Sequence, residues 1–426
     1  MESVDLLLTN IAQLVTCAGS GAPKRGAAMR DLGIIEDAAV AAQDGVIVAV
    51  GKSEDLLRAY RSENHEDCRR RAVVPGFVDC HTHAIFAGDR LDEFEMRLSG
   101  ATYMEIMAAG GGIRKTMRAT RAASLDDLRE TLLERIERMM QTGTTTAEIK
   151  TGYGLDVETE VRLLEVIDWA AERYPMRLLP TFLGAHAVPP EFPDAESYTR
   201  HVIEVMLPAV NVWYAGSWFA RQVTPLFVDV FCEQGVFDVD QSRRILQAGQ
   251  ALGMAAKAHV DEFVNLGGVP MAVALDAVSV DHLDVTPDHE LERLAASNTV
   301  GVMLPAVNFN LGSHHYGSAR RLIDAGGILA LATDYNPGSA PTTSIPMTMA
   351  IACRYQKLIP AEALNAVTLN AAYAIGMGGR IGSIEVGKQA DLLILNEPDY
   401  RAAAYEFGGN PIWRVGAKGA LLWHSW

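Results

Sequence analysis

Short apolar, β-branched runs alternate with longer stretches of helical period along most of this chain. Runs at residues 73–80, 144–150, 178–187, 227–233, 256–261, 278–283, 300–305 and 328–334 read as strands, eight in all. Helix starts lie between them. Ser124 and Asp127 sit at the two ends of a capping box whose helix runs to about Gly143. Asp156, Asp238 and Thr286 read as N-caps of further helices. Strand–helix units of this number and length predict an α/β fold, a (β/α)8 TIM-type barrel. A doubly wound open sheet is the main rival, and no GxGxxG follows the first strand to support it.

Both ends break this rhythm. Residues 5–8, 39–42 and 45–50 read as short strands among turn residues. After helices near 344–356 and 361–377, strands return at 390–395 and 417–423. Each end alone is short for an independent sheet. The expectation is therefore one small β-sandwich formed from both chain termini, residues 1–72 and 376–426, flanking a catalytic barrel over 73–375.

Composition narrows the class. The chain has 426 residues, 49% hydrophobic and 21% charged, without repeats or low-complexity segments, as in a soluble globular enzyme. No basic region precedes an apolar stretch at the start, so no secretory signal is expected, and no apolar run reaches the roughly 18 residues that span a bilayer. Cys17, Cys68, Cys80, Cys232 and Cys353 are scattered without a CxxC pair. That pattern argues against a disulfide framework or a cysteine zinc site and suits a cytoplasmic location. A net charge of -16 argues against nucleic acid and anionic membranes as partners. A small anionic substrate would need a dedicated cation in its pocket.

The active face of such a barrel lies at the strand C-termini. Five of the eleven histidines, His81, His83, His186, His259 and His282, fall at predicted strand exits. His81 and His83 are two apart on an extended segment, so both side chains point the same way. His259 and Asp334 sit where inward-pointing side chains would converge with that pair. Three imidazoles and a carboxylate leave room for water, as a catalytic metal site requires. Alone, each of these residues is as readily a hydrogen-bonded core histidine or a turn-capping aspartate. Together they predict one divalent metal ion, zinc or iron, since the donor set suits either. A carboxylated lysine bridging two metals would be expected after strand four. Here Lys150 follows strand two and strand four ends in Glu233, so Lys150 reads as structural or as part of an ion pair supporting the site.

Longer strings accompany these residues: Gly110-Gly-Gly-Ile113, Thr151-Gly-Tyr-Gly-Leu-Asp156, Phe182-Leu-Gly-Ala-His-Ala-Val-Pro189, His259-Val-Asp-Glu262 with Asn265-Leu-Gly-Gly268, and Asp334-Tyr-Asn-Pro-Gly338. With the strand-one pair, His282 and Gly387-Lys-Gln-Ala-Asp391, they make the chain resemble the amidohydrolase superfamily, and within it the imidazolonepropionase family of histidine degradation. The resemblance runs from about Val74 to the C-terminus, more weakly over the N-terminal strands. It implies hydrolysis of 4-imidazolone-5-propanoate to N-formimidoyl-L-glutamate by a homodimeric enzyme. It also implies substrate contacts from Arg90, Tyr103, Tyr153, His186, Glu262, Asn336, Gly338 and Ser339. Arg90 fits on physical grounds too, because a guanidinium on the first active-site loop can grip a propanoate carboxylate bidentately. Glu262 is the candidate general acid/base, with the pair His282 and Asp334 as the other candidate base; His186 is placed to polarise the carbonyl under attack. Residues 305–316 are more polar than the family pattern, and His314 and His315 read as exposed loop residues.

Two other functions bear weighing. Another cyclic-amide hydrolase or aromatic-amine deaminase of the superfamily would keep the metal ligands and change Arg90, Tyr153 and the Asn336–Gly338 loop. A non-enzymatic relative would have lost ligands, and here all four are present.

Overall fold

The computed structural model describes residues 1–19, 21–101, 105 and 110–424. Eight parallel strands follow one another in sequence order around the sheet: Phe77–Asp79, Thr144–Lys150, Arg177–Ala185, Phe227–Cys232, Ala255–Val260, Ser279–His282, Val300–Met303 and Leu329–Leu331. Strand two is buried at all seven of its positions, as expected where helices cover one face and barrel-filling side chains the other. The first and last strands meet through side chains and single backbone bonds rather than a ladder. Thr333 donates its N–H and hydroxyl to the Asp79 carboxylate (3.0 and 2.6 Å). Beyond it, Asp334 N–H reaches His81 O at 3.0 Å and His83 N–H reaches Tyr335 O at 2.9 Å. The seam thus closes at the end of the barrel where the predicted ligands lie.

Local signals account for the intervening helices. Ser124 and Asp127 close the expected capping box on Leu125–Gln141, and Leu128, Leu132, Ile136 and Met139 line its buried face at helical spacing. Asp156 caps Val157–Arg173, and Asp238 with Gln241 caps Val239–Ala251. Thr286 is a correction. Its hydroxyl is taken by Asp261 Oδ2 at 2.7 Å, and Pro287 occupies the cap position of Asp288–Ala295. The single helix expected over 361–377 is also two, Pro360–Ala366 and Leu369–Ala374, broken at Val367 where the backbone carbonyl instead accepts Val78 N–H.

The termini build a second sheet together. Its strands run in the order Ala420–His424, Ile412–Ala417, Leu392–Leu395, Val73–Pro75, Leu6–Val15, Ile34–Gln43, Val46–Lys52, with His65–Asp67 added beside Leu6–Val15. The expected strand at 73–80 therefore serves both sheets. Gly76 makes the transfer: a Cβ there would sit 2.2 Å from Thr145 Oγ1, so only glycine allows the chain to pass this close to strand two.

Candidate metal and substrate site

The strand exits bring the histidines together. His81, His83 and Asp334 offer ligand atoms within 4.8 Å of one another, and so do His81, His259 and His282. His81 Nε2 and His83 Nε2 lie 3.3 and 3.4 Å from Asp334 Oδ1, and His83 Nε2 faces His259 Nε2 at 3.3 Å. Two of these buried atoms, His81 Nε2 and Asp334 Oδ1, have no hydrogen-bond partner. Buried polar groups are rarely left so, and a cation ligated by them satisfies both at once. Burial holds His81 and His83 well below the usual imidazole range, which keeps them neutral as metal ligands must be. It pushes the Asp334 carboxyl well above the usual carboxylate range, a cost that a cation beside it relieves. The donor set fits a divalent metal.

A layer of charge beneath the ligands fixes their orientation. His81 Nδ1 lies 2.7 Å from Asp281 Oδ2, and His259 Nδ1 lies 3.1 Å from Asp229. Carboxylates at Nδ1 hold the proton there and turn the Nε2 lone pairs toward the cluster. Lys150 Nζ bonds Asp229 at 2.7 Å and Glu148 at 2.9 Å, and Lys257 Nζ bonds Glu148 at 2.6 Å and the Cys80 carbonyl at 3.0 Å. Burial pulls the Lys150 ammonium down, but Asp229, Glu148 and Asp281 outweigh it and hold the group above its ordinary value. Lys150 is thus a charged ion-pair partner in this network. Neither Asp229 nor Lys257 was singled out by the sequence reading. The signal was a charge inside an apolar strand, at the third position of both Phe227–Cys232 and Ala255–Val260.

A cavity of about 600 Å³ opens above the cluster. Tyr153 and His186 form its wall, the His186 ring stacking on His83 with centroids 4.9 Å apart and its Nδ1 bonded to the Gly152 carbonyl at 3.0 Å. Burial, with His259 adding, brings His186 down to about 3, so it is neutral and presents Nε2. Glu262 lines the cavity with its Oε2 3.7 Å from His282 Nε2; burial first, then Asp334, pushes its carboxyl well above the usual range. Arg90 lines the cavity as well, bonded through Nε to Thr116 Oγ1 at 3.0 Å and packed over Gly338, where a Cβ would meet its Nη1 at 2.4 Å. Asn336 spends its side chain within the loop: its amide donates to Asp334 Oδ2 and Ser339 Oγ (3.1 and 2.8 Å) and its oxygen accepts Gly338 and Ser339 N–H. Gly338 and Ser339 line the cavity, as does Arg97, which the sequence reading missed. Tyr103 lies outside the described residues. His314 and His315 are exposed, apart from the cluster.

The Amidohydrolase family model matches residues 104–406. The chain is 56% identical over 423 residues to an imidazolonepropionase of Chloroflexus aggregans, covering 99% of each, and 51% identical over 413 residues to one of Herpetosiphon aurantiacus, covering 97% of this chain and 96% of the relative. Among solved structures it resembles an adenosine deaminase from Xanthomonas campestris with bound zinc (TM-score 0.72, 20% identity, 99% of this chain and 93% of that one). E. coli guanine deaminase shares the fold at TM-score 0.70 and 16% identity, over 98% and 99% of the two chains.

Proposed function

The chain belongs to the amidohydrolase family, among its imidazolonepropionases, and we propose that it opens the ring of 4-imidazolone-5-propanoate with water, giving N-formimidoyl-L-glutamate in histidine degradation. One divalent ion, zinc or iron, would be held by His81, His83, His259 and Asp334. When bound, such an ion supplies Lewis acidity, polarising a carbonyl and making water a better nucleophile.

The chain's own residues supply the rest. Arg90 takes the propanoate carboxylate and directs the ring carbonyl toward the cluster. His186, neutral and held through Nδ1, is placed to hydrogen-bond the substrate from the cavity wall, and Tyr153 packs beside it. The amide bond between the ring carbonyl carbon and its nitrogen breaks, the water oxygen stays on carbon as the new carboxylate, and a proton passes to the departing nitrogen. Glu262 is the group we assign to that proton. A carboxyl raised by burial gives and takes protons nearer neutrality than a free glutamate. His282, 3.7 Å away, steadies it. The five free cysteines suit a reducing cytoplasm.

The observation that carries this reading is that one cavity holds both the unpartnered Asp334 Oδ1 of the histidine cluster and the Arg90 guanidinium, the two groups that a cyclic amide with an anionic arm requires. The test is incubation of the metal-loaded chain with freshly generated imidazolone propanoate. Loss of its ultraviolet absorbance with formation of N-formimidoyl-L-glutamate is expected, and no turnover would overturn the proposal.

A further inference from the structure

Helix Leu91–Leu98 is turned the opposite way from an ordinary surface helix. Leu91 and Leu98 are 70% and 73% exposed, whereas Arg90 at its N-cap, Glu93 and Arg97 line the cavity. Burial of apolar area does not explain this orientation, since the helix leaves its leucines in solvent. Something on the charged side does.

Glu93 is already accounted for. It is buried, and its Oε1 accepts Gly112 N–H at 3.0 Å, tying the helix to the glycine turn. Arg97 is not. Among the described residues its one side-chain bond is a long 3.4 Å contact from Nη2 to Gly338 O. Arg90 packs against the α-carbon of the same glycine, so the two guanidiniums flank one turn. They are the only arginines or lysines lining the cavity among the described residues, and neither is ion-paired there with a carboxylate. A chain of net charge -16 has carboxylates to spare, and two unpaired guanidiniums side by side repel each other unless an anion joins them.

We propose that Arg97 is a second anion-binding residue of the substrate pocket, holding the substrate's carboxylate together with Arg90 across the Gly338 turn. The inference rests on the proposed reaction for the identity of that carboxylate. Arg97 and Arg90, both half-buried, form a cation pair at the Gly338 turn. With Arg90, Arg97 fixes which end of the substrate points at the metal ligands. As an anchor distant from the reacting bond it acts on binding, not on the chemical step.

The test uses the metal-loaded full chain and two stable probes, 3-(imidazol-4-yl)propanoate and its uncharged amide, with affinities measured by calorimetry. Arg97→Ala and Arg97→Gln are expected to weaken the acid by roughly tenfold and the amide less than about twofold, with Arg97→Lys in between. KM for imidazolone propanoate should rise in parallel while kcat stays within about twofold. The proposal is overturned if the acid binds Arg97→Ala as tightly as the unaltered chain, or if acid and amide weaken together, which would mark Arg97 as a packing residue of the turn. A fall in kcat with KM unmoved would overturn it as well. The reaction itself is judged separately: an unaltered chain that prefers acid to amide through Arg97 yet opens no ring would support the anion site and overturn the proposed substrate.

Discussion

Asp281→Asn separates the metal's affinity from the stability of the metal-free chain. Asp281 Oδ2 holds His81 Nδ1 at 2.7 Å, and its Oδ1 accepts the Ser279 hydroxyl at 2.6 Å. It is also one of three buried carboxylates, with Glu148 and Asp229, that share two ammoniums, Lys150 and Lys257. One negative charge is therefore in excess beneath the ligand cluster. Burial, helped by Asp229 and Glu148, outweighs the two lysines and raises the Asp281 carboxyl above the usual range. Asparagine keeps the shape. Its oxygen still accepts from His81 and its amide can donate to Ser279, so only the charge is lost.

Removing the charge makes the His81 ring a poorer donor to a cation. Loss of such a supporting partner commonly costs 10–100-fold in metal affinity, about 1.4–2.8 kcal/mol. The same change leaves two carboxylates facing two ammoniums. The metal-free chain should then lose less than about 1 kcal/mol, or gain, because the charge removed was the costly one. Competition against a chromophoric chelator reads the first quantity, and urea unfolding of metal-stripped protein reads the second. Unchanged metal affinity would refute the support assigned to Asp281. A metal-free chain weakened by about 3–5 kcal/mol would show instead that the lysines need this carboxylate as their counter-ion.

Glu262→Gln should keep its metal content by elemental analysis and lose about 10²–10⁴ in kcat; near-normal turnover would hand the proton to His282 and Asp334. Arg90→Ala should raise KM for the acid by roughly tenfold or more with metal content unchanged, and Arg90→Lys should restore only part. Because the Lys150 ammonium is committed to Glu148 and Asp229, one metal ion per chain is expected, and two tightly held ions would refute that. Burial raises Asp79 from its ordinary 3.8 to about 7. Folding then takes up a proton over that range, so the stability this group confers is complete below about pH 4 and is lost as pH rises through 7. Asp79→Asn should flatten the fall in unfolding stability between about pH 5 and 7, and an identical slope in both proteins would contradict the assignment.

How much of this was legible depended on whether a residue's role was local. The barrel strands could be read because they are buried on both faces and therefore nearly continuous in apolar residues, and the caps at Ser124, Asp156 and Asp238 because a cap bonds residues three apart. His81, His83, His259 and Asp334 stood out because strand exits are few and polar residues there are conspicuous. What stayed hidden was set by long-range contact. Nothing local tells the apolar run 73–80 to change sheets at Gly76; Thr145, on the neighbouring strand, imposes it. Thr286 reads as a cap until Asp261 competes for its hydroxyl. Arg97 looks like any exposed helix arginine until the helix is seen to face the cavity with its charged side.

The proposed metal ligands and the closure of the barrel share the same few residues, which ties the site to the stability of the fold. His81, His83 and Asp334 belong to the segments that join strand one to strand eight, and the joining bonds are those of their own backbones or of Asp79 to Thr333. Asp334, Asp261 and His282 also hold left-handed backbones (φ 52°, 57° and 83°), at a cost of about 1–3 kcal/mol each. A seam of a few bonds next to strained exits is where such a barrel should open first. A cation ligated from both sides of it opposes that opening. Anything that binds only the closed form adds about 2.7 kcal/mol at a hundred times its dissociation constant. The coupling is reciprocal, so a seam weakened at a distance must weaken the metal. Asp79 is 0% exposed and bonds Thr333, just past strand eight, and the His81 backbone N–H, but no ligand atom. Asp79→Ala should therefore lower metal affinity, as a ligand substitution would, while deleting no ligand atom.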